Sequence, residues 1–213
     1  MSRSAICRDL SEAALLEAGV VVRGGGVIAF PTETFYGLGV LPFDGRAVQR
    51  VCELKGRTTT IRPVLVLVRS RSELEALVSE ITPTAERLMA ACWPGPLTLV
   101  FRASMAVPAV LTAGTGTIGV RLPEHPDVQR LLEAVGGALT GTSANRSGHF
   151  PATTAEEVRR FLGTDVDLIL DGGPTPGGLP STVLDTTVTP ARLIREGRVP
   201  RASLLSVVGS LAA

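Results

Sequence analysis

The polar residues best placed for chemistry follow a short apolar run near the start of the chain. Residues 27–30 are typical of a buried strand, which Pro31 ends because proline has no N–H for a central ladder. The next residues carry two hydroxyls, a carboxylate and the only tyrosine, on Thr32, Thr34, Glu33 and Tyr36. Because ligands of open α/β sheets bind beyond the carboxyl ends of strands, this loop is a candidate binding segment. A solvated turn is the alternative interpretation.

A second candidate is the only lysine of the chain. Lys55 is followed by Gly56 and Arg57 at the expected end of a helix, and two cations around a glycine suit a phosphate group. A basic helix end that binds its own last carbonyl groups is the alternative. Codon bias explains why the other basic residues are all arginines, but it leaves open why one position kept an ammonium.

Two further segments carry hydroxyl and amide groups. Ser143 and Asn145 follow a predicted strand, and residues two apart in an extended segment point to the same side, which pairs a donor with an acceptor. An N-cap and turn cluster is the alternative, and an isolated Ser-x-Asn more often has that structure. A loop rich in glycine and proline, residues 171–178, then leads to Ser181.

Composition excludes several classes of protein. The chain has 213 residues, 45% hydrophobic and 19% charged, which favours one folded domain over disorder. A net charge of +1 argues against a general nucleic-acid-binding protein. Three cysteines without a CxxC pair and two isolated histidines predict no metal site and fit a reducing compartment. No apolar run approaches the ~20 residues of a membrane span, and residues 1–10 lack a signal-peptide core. We therefore expect a cytoplasmic protein without a membrane partner.

The elements that must position these loops alternate between helices and strands. This alternation predicts an α/β layer structure, with one sheet and helices on its faces. Ser/Thr-x-x-Glu spacings predict that two of the helices open at Ser72 and Thr153. The other predicted helices are 11–23, 44–54, 83–92 and 126–135, and the predicted strands are 27–30, 64–68, 97–102, 118–122, 138–142, 168–170, 182–184 and 193–195.

Seven short motifs occur in one order along the chain. They are residues 31–39 (PTETFYGLG), Lys55-x-Arg57, 93–98 (WPGPLT), 120–123 (VRLP), 143–148 (SANRSG), 181–183 (STV) and Arg195-x-Gly197. In this order and spacing the chain resembles the YrdC-like family over about residues 11–199. The resemblance implies an α/β fold in which a twisted mixed sheet, flanked by helices, surrounds a basic central concavity. It also implies a domain over 11–200, an N-terminal segment 1–10 and a C-terminal tail 201–213 that we expect to form a short helix.

The resemblance further implies an enzyme that uses ATP as a substrate. Members of the YrdC-like family join L-threonine, bicarbonate and ATP into threonylcarbamoyl-AMP and release pyrophosphate. The product serves N6-threonylcarbamoylation of adenosine 37 in tRNA by a downstream transferase complex. Magnesium is expected to be held mainly by the phosphates, with no metal site on the protein. Carbamate, carboxylate and triphosphate are all anionic, so such a site needs cations and hydroxyl donors rather than a nucleophile.

The resemblance also assigns roles to individual residues. The expected catalytic residues are Lys55, Arg57, Ser143 and Asn145, which also bind ATP together with Thr117 and Arg195. The amino acid is expected on Thr34, Arg121 and Ser181, because a guanidinium can bind a carboxylate through two bonds. Thr32 and Tyr36 are expected to line the pocket.

Two features depart from the family pattern. Residues 58–62 make the loop after Lys55-x-Arg57 one residue longer than usual, and the strand at 64–68 lacks a histidine that some members place against threonine. Two alternatives stay open. One is a paralogue of the same fold that serves a different carbamoyl-adenylate pathway. The other is a double-stranded RNA binding module, in which the basic concavity would contact RNA directly.

Overall fold

The computed structural model describes residues 5–56 and 63–212. Within them the helices are α1 (Glu12–Arg23), α2 (Gly45–Leu54), α3 (Arg71–Leu77), α4 (Pro83–Cys92), α5 (Ala109–Thr112), α6 (Pro126–Val135), α7 (Ala155–Leu162) and α8 (Arg201–Val208). The strands are β1 (Ile6–Arg8), β2 (Ile28–Phe30), β3 (Gly37–Gly39), β4 (Val66–Leu67), β5 (Leu97–Arg102), β6 (Thr117–Arg121), β7 (Leu139–Thr140), β8 (Thr142–Ser143), β9 (Leu168–Leu170), β10 (Thr182–Asp185) and β11 (Arg192–Arg195).

Side-chain caps fix where three of the predicted helices begin. Ser11, Asp44 and Thr82 each occupy the N-cap and accept a hydrogen bond from a backbone N–H in the first turn of α1, α2 and α4. Pro83 then starts α4 at a position where its missing N–H costs nothing. These predicted helix starts are confirmed.

Two predicted capping positions were wrong. Ser70 rather than Ser72 caps α3, and Thr154 rather than Thr153 caps α7. In both places the Ser/Thr-x-x-Glu spacing occurs twice in overlapping registers, as Ser70 with Glu73 and Thr154 with Glu157 show. The motif therefore locates the helix but not its first residue.

The predicted α/β structure of mixed strands flanked by helices is confirmed, but the strands form two sheets rather than the single predicted sheet. One sheet has the order β1-β9-β2-β3-β8, and the other has the order β11-β10-β5-β6-β4-β7. The predicted strand 138–142 is divided between them at Gly141. Its first part pairs with β4 at Val66↔Thr140, and its second part pairs with β3 at Leu38↔Thr142. A Cβ on Gly141 would lie 2.6 Å from Leu67 Cγ, so glycine allows the two sheets to meet closely.

Three elements were not predicted. Strand β1 lies in the segment expected to precede the domain and pairs in parallel with β9. Strand β3 lies in the segment read as a loop and pairs antiparallel with β2. Its two glycines have low β-propensity, but Gly39 is packed so closely on Phe30 that a Cβ would come within 2.7 Å of the ring. The third is the short helix α5.

Helices and sheets enclose two apolar clusters. Helices α1 and α6 pack together over one face of the first sheet, against Ile28 and Phe30. The larger cluster joins both sheets and includes Val51, Val66 and Phe101. Cys52 lies in this core, as predicted. None of the helices in the described ranges is both long enough and apolar enough to span a bilayer.

Candidate active site

A cavity of about 900 Å³ is lined by strands of both sheets and by the loops that follow them. Strands β3 and β8 contribute from the first sheet, and β5, β6, β10 and β11 contribute from the second. The structure brings eight of the predicted site residues to its wall: Thr32, Thr34, Tyr36, Thr117, Arg121, Ser143, Ser181 and Arg195. Segments far apart in sequence thus converge on one cavity.

The lone lysine is bound to the Ser-x-Asn motif. Lys55 follows the end of α2 and is 2% exposed. Its ammonium donates to the carbonyl oxygen of Ser143 at 2.5 Å, and to the carbonyl oxygen and Oδ1 of Asn145, both at 2.9 Å. Ser143 Oγ also donates to Asn145 Oδ1 at 2.6 Å. Among the described residues the cavity wall includes Ser143 but neither Lys55 nor Asn145. Arg57 and residues 58–62 lie outside the described residues.

The loop before β3 folds into a tight hydrogen-bonded turn. Thr32 Oγ1 donates to the carbonyl oxygen of Phe35 at 2.7 Å, and Thr34 N donates to Thr32 Oγ1 at 3.2 Å. The two threonine hydroxyls are 3.1 Å apart. The carbonyl oxygen of Thr34 accepts from Gly177 N at 2.8 Å, which ties the glycine-rich loop to this turn. The turn therefore presents hydroxyl groups to the cavity with their backbone already fixed.

Tyr36 lines the cavity, but its hydroxyl is engaged elsewhere. It donates to the carbonyl oxygen of Gly173 at 2.8 Å, and Asp171 Oδ1 lies at 3.4 Å. Burial raises the pKa of Tyr36 to about 12, and the nearby Asp171 carboxylate acts in the same direction. Tyr36 is thus a neutral anchor for the glycine-rich loop at physiological pH.

A polar network where β5, β10 and β11 line the cavity includes Thr98, to which the sequence analysis gave no role. Thr98 Oγ1 is 3.0 Å from Ser181 Oγ, and both side chains are buried. Arg195 Nη2 donates to the carbonyl oxygen of Ser181 at 2.8 Å. Thr98 belongs to the motif at 93–98 and lies between apolar residues on β5. This alternation is the sequence pattern that could have identified it as a site residue. Thr117, also on the cavity wall, has its Oγ1 2.9 Å from Thr115 Oγ1.

One cation on the cavity wall, Arg121, belongs to a buried ion pair. Arg121 Nη1 lies 2.9 Å from Glu33 Oε1, with side chains only 3% and 13% exposed. Burial lowers the pKa of Arg121, the carboxylate of Glu33 opposes that effect, and the like charge of Arg195 adds to it. Burial also lowers the pKa of Arg195. Sequence reasoning noted the Glu33 carboxylate but gave it no role.

Comparison with known proteins shows which family this chain is similar to. The profile of the Sua5/YciO/YrdC family, described as "Telomere recombination", matches residues 20–197. A threonylcarbamoyl-AMP synthase of Pyrococcus abyssi is 40% identical over 190 residues, which are 89% of this chain and 56% of the relative. A threonylcarbamoyl-AMP synthase of Thiobacillus denitrificans is 42% identical over 164 residues, 77% of this chain and 86% of the relative. The chain thus spans little more than half of the archaeal relative.

Two solved structures with names from this family are also similar to the chain. Pyrococcus abyssi Sua5 complexed with L-threonine has a TM-score of 0.90 and 38% identity, covering 98% of this chain and 61% of that one. Escherichia coli YciO has a TM-score of 0.81 and 34% identity, covering 93% of this chain and 97% of that one. With a profile match over most of its length and relatives at about 40% identity, the chain belongs to the Sua5/YciO/YrdC family.

Proposed function

We propose that the chain synthesises threonylcarbamoyl-AMP from L-threonine, bicarbonate and ATP and releases pyrophosphate. The observation that carries the proposal is a single cavity where buried hydroxyls and two guanidinium groups meet, on Thr34, Ser181, Arg121 and Arg195. Relatives at 40% and 42% identity carry the name of this synthase, and a similar structure holds L-threonine. A volume of about 900 Å³ is at the upper end of small-ligand sites, as two substrates require.

The proposed reaction forms two bonds in sequence. Bicarbonate takes up a proton and loses water to give CO₂. The threonine amine attacks the carbon of CO₂, and loss of a proton from nitrogen gives a carbamate. A carbamate oxygen then attacks the α-phosphorus of ATP, a new P–O bond forms, and pyrophosphate leaves. No side chain is needed as a nucleophile, so positioning and charge stabilisation supply the rate enhancement.

The threonine end of the cavity is proposed at Arg121. Its guanidinium pairs with the threonine carboxylate, because a buried Arg–carboxylate bond is short and charge-assisted. The hydroxyls of Thr34 and Ser181 bind polar atoms of the amino acid. Thr32 and Tyr36 support this end through the turn and the glycine-rich loop.

The nucleotide end is proposed at the Ser-x-Asn motif. Ser143 and Asn145 contact ATP, and Thr117 and Arg195 extend the same subsite. Lys55 supports the subsite by fixing the backbone of residues 143–145, and together with Arg57 it supplies positive charge to the phosphates. The proposed basic concavity combines the charge of Lys55 and Arg57 with that of Arg121 and Arg195 on the cavity wall. Magnesium is held by the phosphate oxygens and water, because Mg²⁺ usually keeps several of its waters and binds through substrate phosphates.

The product is a reactive mixed anhydride, so a transferase must consume it. We propose that it supplies N6-threonylcarbamoylation of adenosine 37 in tRNA in the cytoplasm, through a downstream transferase complex. Direct RNA binding at the concavity and a carbamoyl-adenylate for another acceptor are the competing functions.

Pyrophosphate release separates these functions. We expect release with ATP, Mg²⁺, bicarbonate and L-threonine together, a weak signal with L-serine, and none without amino acid or with a chelator. Equal release without bicarbonate would overturn the carbamate step. No release with any amino acid, together with salt-sensitive binding of double-stranded RNA, would favour the RNA-binding alternative.

A further inference from the structure

Glu33 has an unusual environment for a carboxylate. It lies between Thr32 and Thr34 in the turn that precedes β3, and its side chain is 13% exposed. Both carboxylate oxygens are inaccessible to solvent, and neither has a hydrogen-bond donor among the described residues. Among the described residues its ion-pair partner is Arg121, whose Nη1 lies 2.9 Å from Oε1 in a contact that does not meet hydrogen-bond geometry.

Such an arrangement costs stability. Buried carboxylates in proteins are normally paired and also hydrogen-bonded, because attraction between the charges alone often fails to offset the loss of hydration. Buried polar atoms without partners are few in native structures, and each requires an explanation. The turn itself does not need the carboxylate, since its own bonds involve the two threonines and Phe35.

The guanidinium beside Glu33 is also incompletely bonded. Arg121 Nε is buried and has no hydrogen-bond partner in the described chain, whereas Nη1 faces Glu33. The edge formed by Nε and Nη2 is one of the edges through which arginine binds a carboxylate with two parallel bonds. Arg195 lies near enough for its charge to act on Arg121, so two like charges share this side of the cavity.

We infer that Glu33 is a positioning residue, which holds Arg121 through Nη1 so that the Nε–Nη2 edge is presented to the amino-acid carboxylate. This inference rests on the proposed function. Without the carboxylate, Arg121 would keep its charge but would lose the contact that opposes repulsion by Arg195. The guanidinium would then adopt several orientations, and threonine would bind at the cost of fixing one of them.

The test compares binding of the two substrates in matched variants. L-Threonine and ATP dissociation constants are measured by calorimetry for the wild-type chain, Glu33→Gln and Glu33→Asp. Glu86→Gln is the control, because Glu86 pairs with Arg71 on the surface and is not among the residues that line the cavity. We expect Glu33→Gln to weaken threonine binding about tenfold and ATP binding less than twofold. Glu33→Asp keeps the charge with a shorter reach and should weaken threonine binding less, and Glu86→Gln should change neither constant.

A second pair of variants separates positioning from a general structural effect. In an Arg121→Lys background, Glu33→Gln should change threonine binding less than twofold, because the fork that Glu33 orients is absent. Unchanged or tighter threonine binding in Glu33→Gln would overturn the inference, as would equal weakening of ATP and threonine. If Glu33→Gln does not fold, the comparison of Glu33→Asp with the control decides by the same criteria. A wild-type chain that binds no threonine would instead refute the proposed function.

Discussion

Lys55 Nζ and Asn145 Oδ1 are 2.9 Å apart, although 90 residues separate them in sequence. The same ammonium donates to the carbonyl oxygen of Ser143, so the end of α2 and the segment after β8 form one hydrogen-bonded unit. The two motifs thus depend on each other. The lysine fixes the backbone that presents Ser143 to the cavity, and the carbonyl oxygens surround the ammonium in a buried position.

Replacing Lys55 should therefore impair both catalysis and stability. We expect Lys55→Ala to lower kcat/KM by about 10- to 150-fold, which corresponds to roughly 1.5–3 kcal/mol for lost charge-assisted hydrogen bonds. Lys55→Arg should not restore the wild-type value, because the larger planar group does not fit a site that is 2% exposed. Steady-state kinetics and denaturant unfolding measure the two effects. The surface variant Arg71→Ala is the control, and wild-type kinetics for Lys55→Arg would contradict the prediction.

Gly141 should be required for the junction of the two sheets. A Cβ there would lie within 3.0 Å of three atoms of Leu67, which is fully buried. We expect Gly141→Ala to lower the free energy of unfolding by about 1–3 kcal/mol, the usual cost of overpacking. Gly45→Ala is the matched control, because the added methyl would meet no atom closer than 3.7 Å and lies in the first turn of α2. Urea unfolding of both variants tests this, and equal stability of the two would refute it.

Gly141 also shows why the sequence predicted the elements better than their arrangement. The run at 138–142 has the composition of one strand, and local pattern carries no information about which partner strand each half meets. The division follows from contact with Leu67, which is 74 residues earlier in the chain and was itself predicted only as part of a strand. Helices with unambiguous caps, such as α4, were correct to the residue because their determinants are local.

The residues of the candidate site were likewise predicted only in part. Residue type and position indicated the loop before β3 and the Ser-x-Asn motif, whereas the family resemblance added Thr117, Arg121, Ser181 and Arg195. Eight of the residues found in these two ways line one cavity. The residues that contact these wall residues could not be predicted. Thr98 and Glu33 touch Ser181 and Arg121 across 83 and 88 residues of sequence, and a buried residue that positions another has no local pattern of its own.

Tyr36 should titrate about two pH units above a free tyrosine. Burial raises the pKa of Tyr36 to about 12, against about 10 in an unfolded chain. Because the folded pKa is the higher one, its contribution to stability is complete below pH 10 and is lost as the pH rises toward 12. Tyrosinate absorbance reports this residue alone, since the chain has one tyrosine. At pH 10.5 we expect only about 3% tyrosinate in the native protein and about three-quarters ionisation in denaturant.

The matched variant is Tyr36→Phe. It should remove the contribution of Tyr36 to the loss of stability between pH 10 and pH 12, and it should also increase hydrogen exchange in the glycine-rich loop because Gly173 loses its donor. A native chain in which the tyrosine ionises near pH 10 would show that the hydroxyl is exposed to solvent.

Amino-acid selectivity should follow the hydroxyl more than the shape of the side chain. Threonine and serine differ by one methyl group, which allows a pocket to discriminate between them by only about 1–3 kcal/mol. Valine keeps the shape of threonine but lacks the hydroxyl, so one of the buried hydroxyls of Thr34 and Ser181 would lose its partner. We therefore expect kcat/KM to fall in the order threonine, serine, valine. Pyrophosphate release measured at several concentrations of each amino acid gives this order. If valine is a better substrate than serine, the cavity recognises shape, and the roles proposed for Thr34 and Ser181 are wrong.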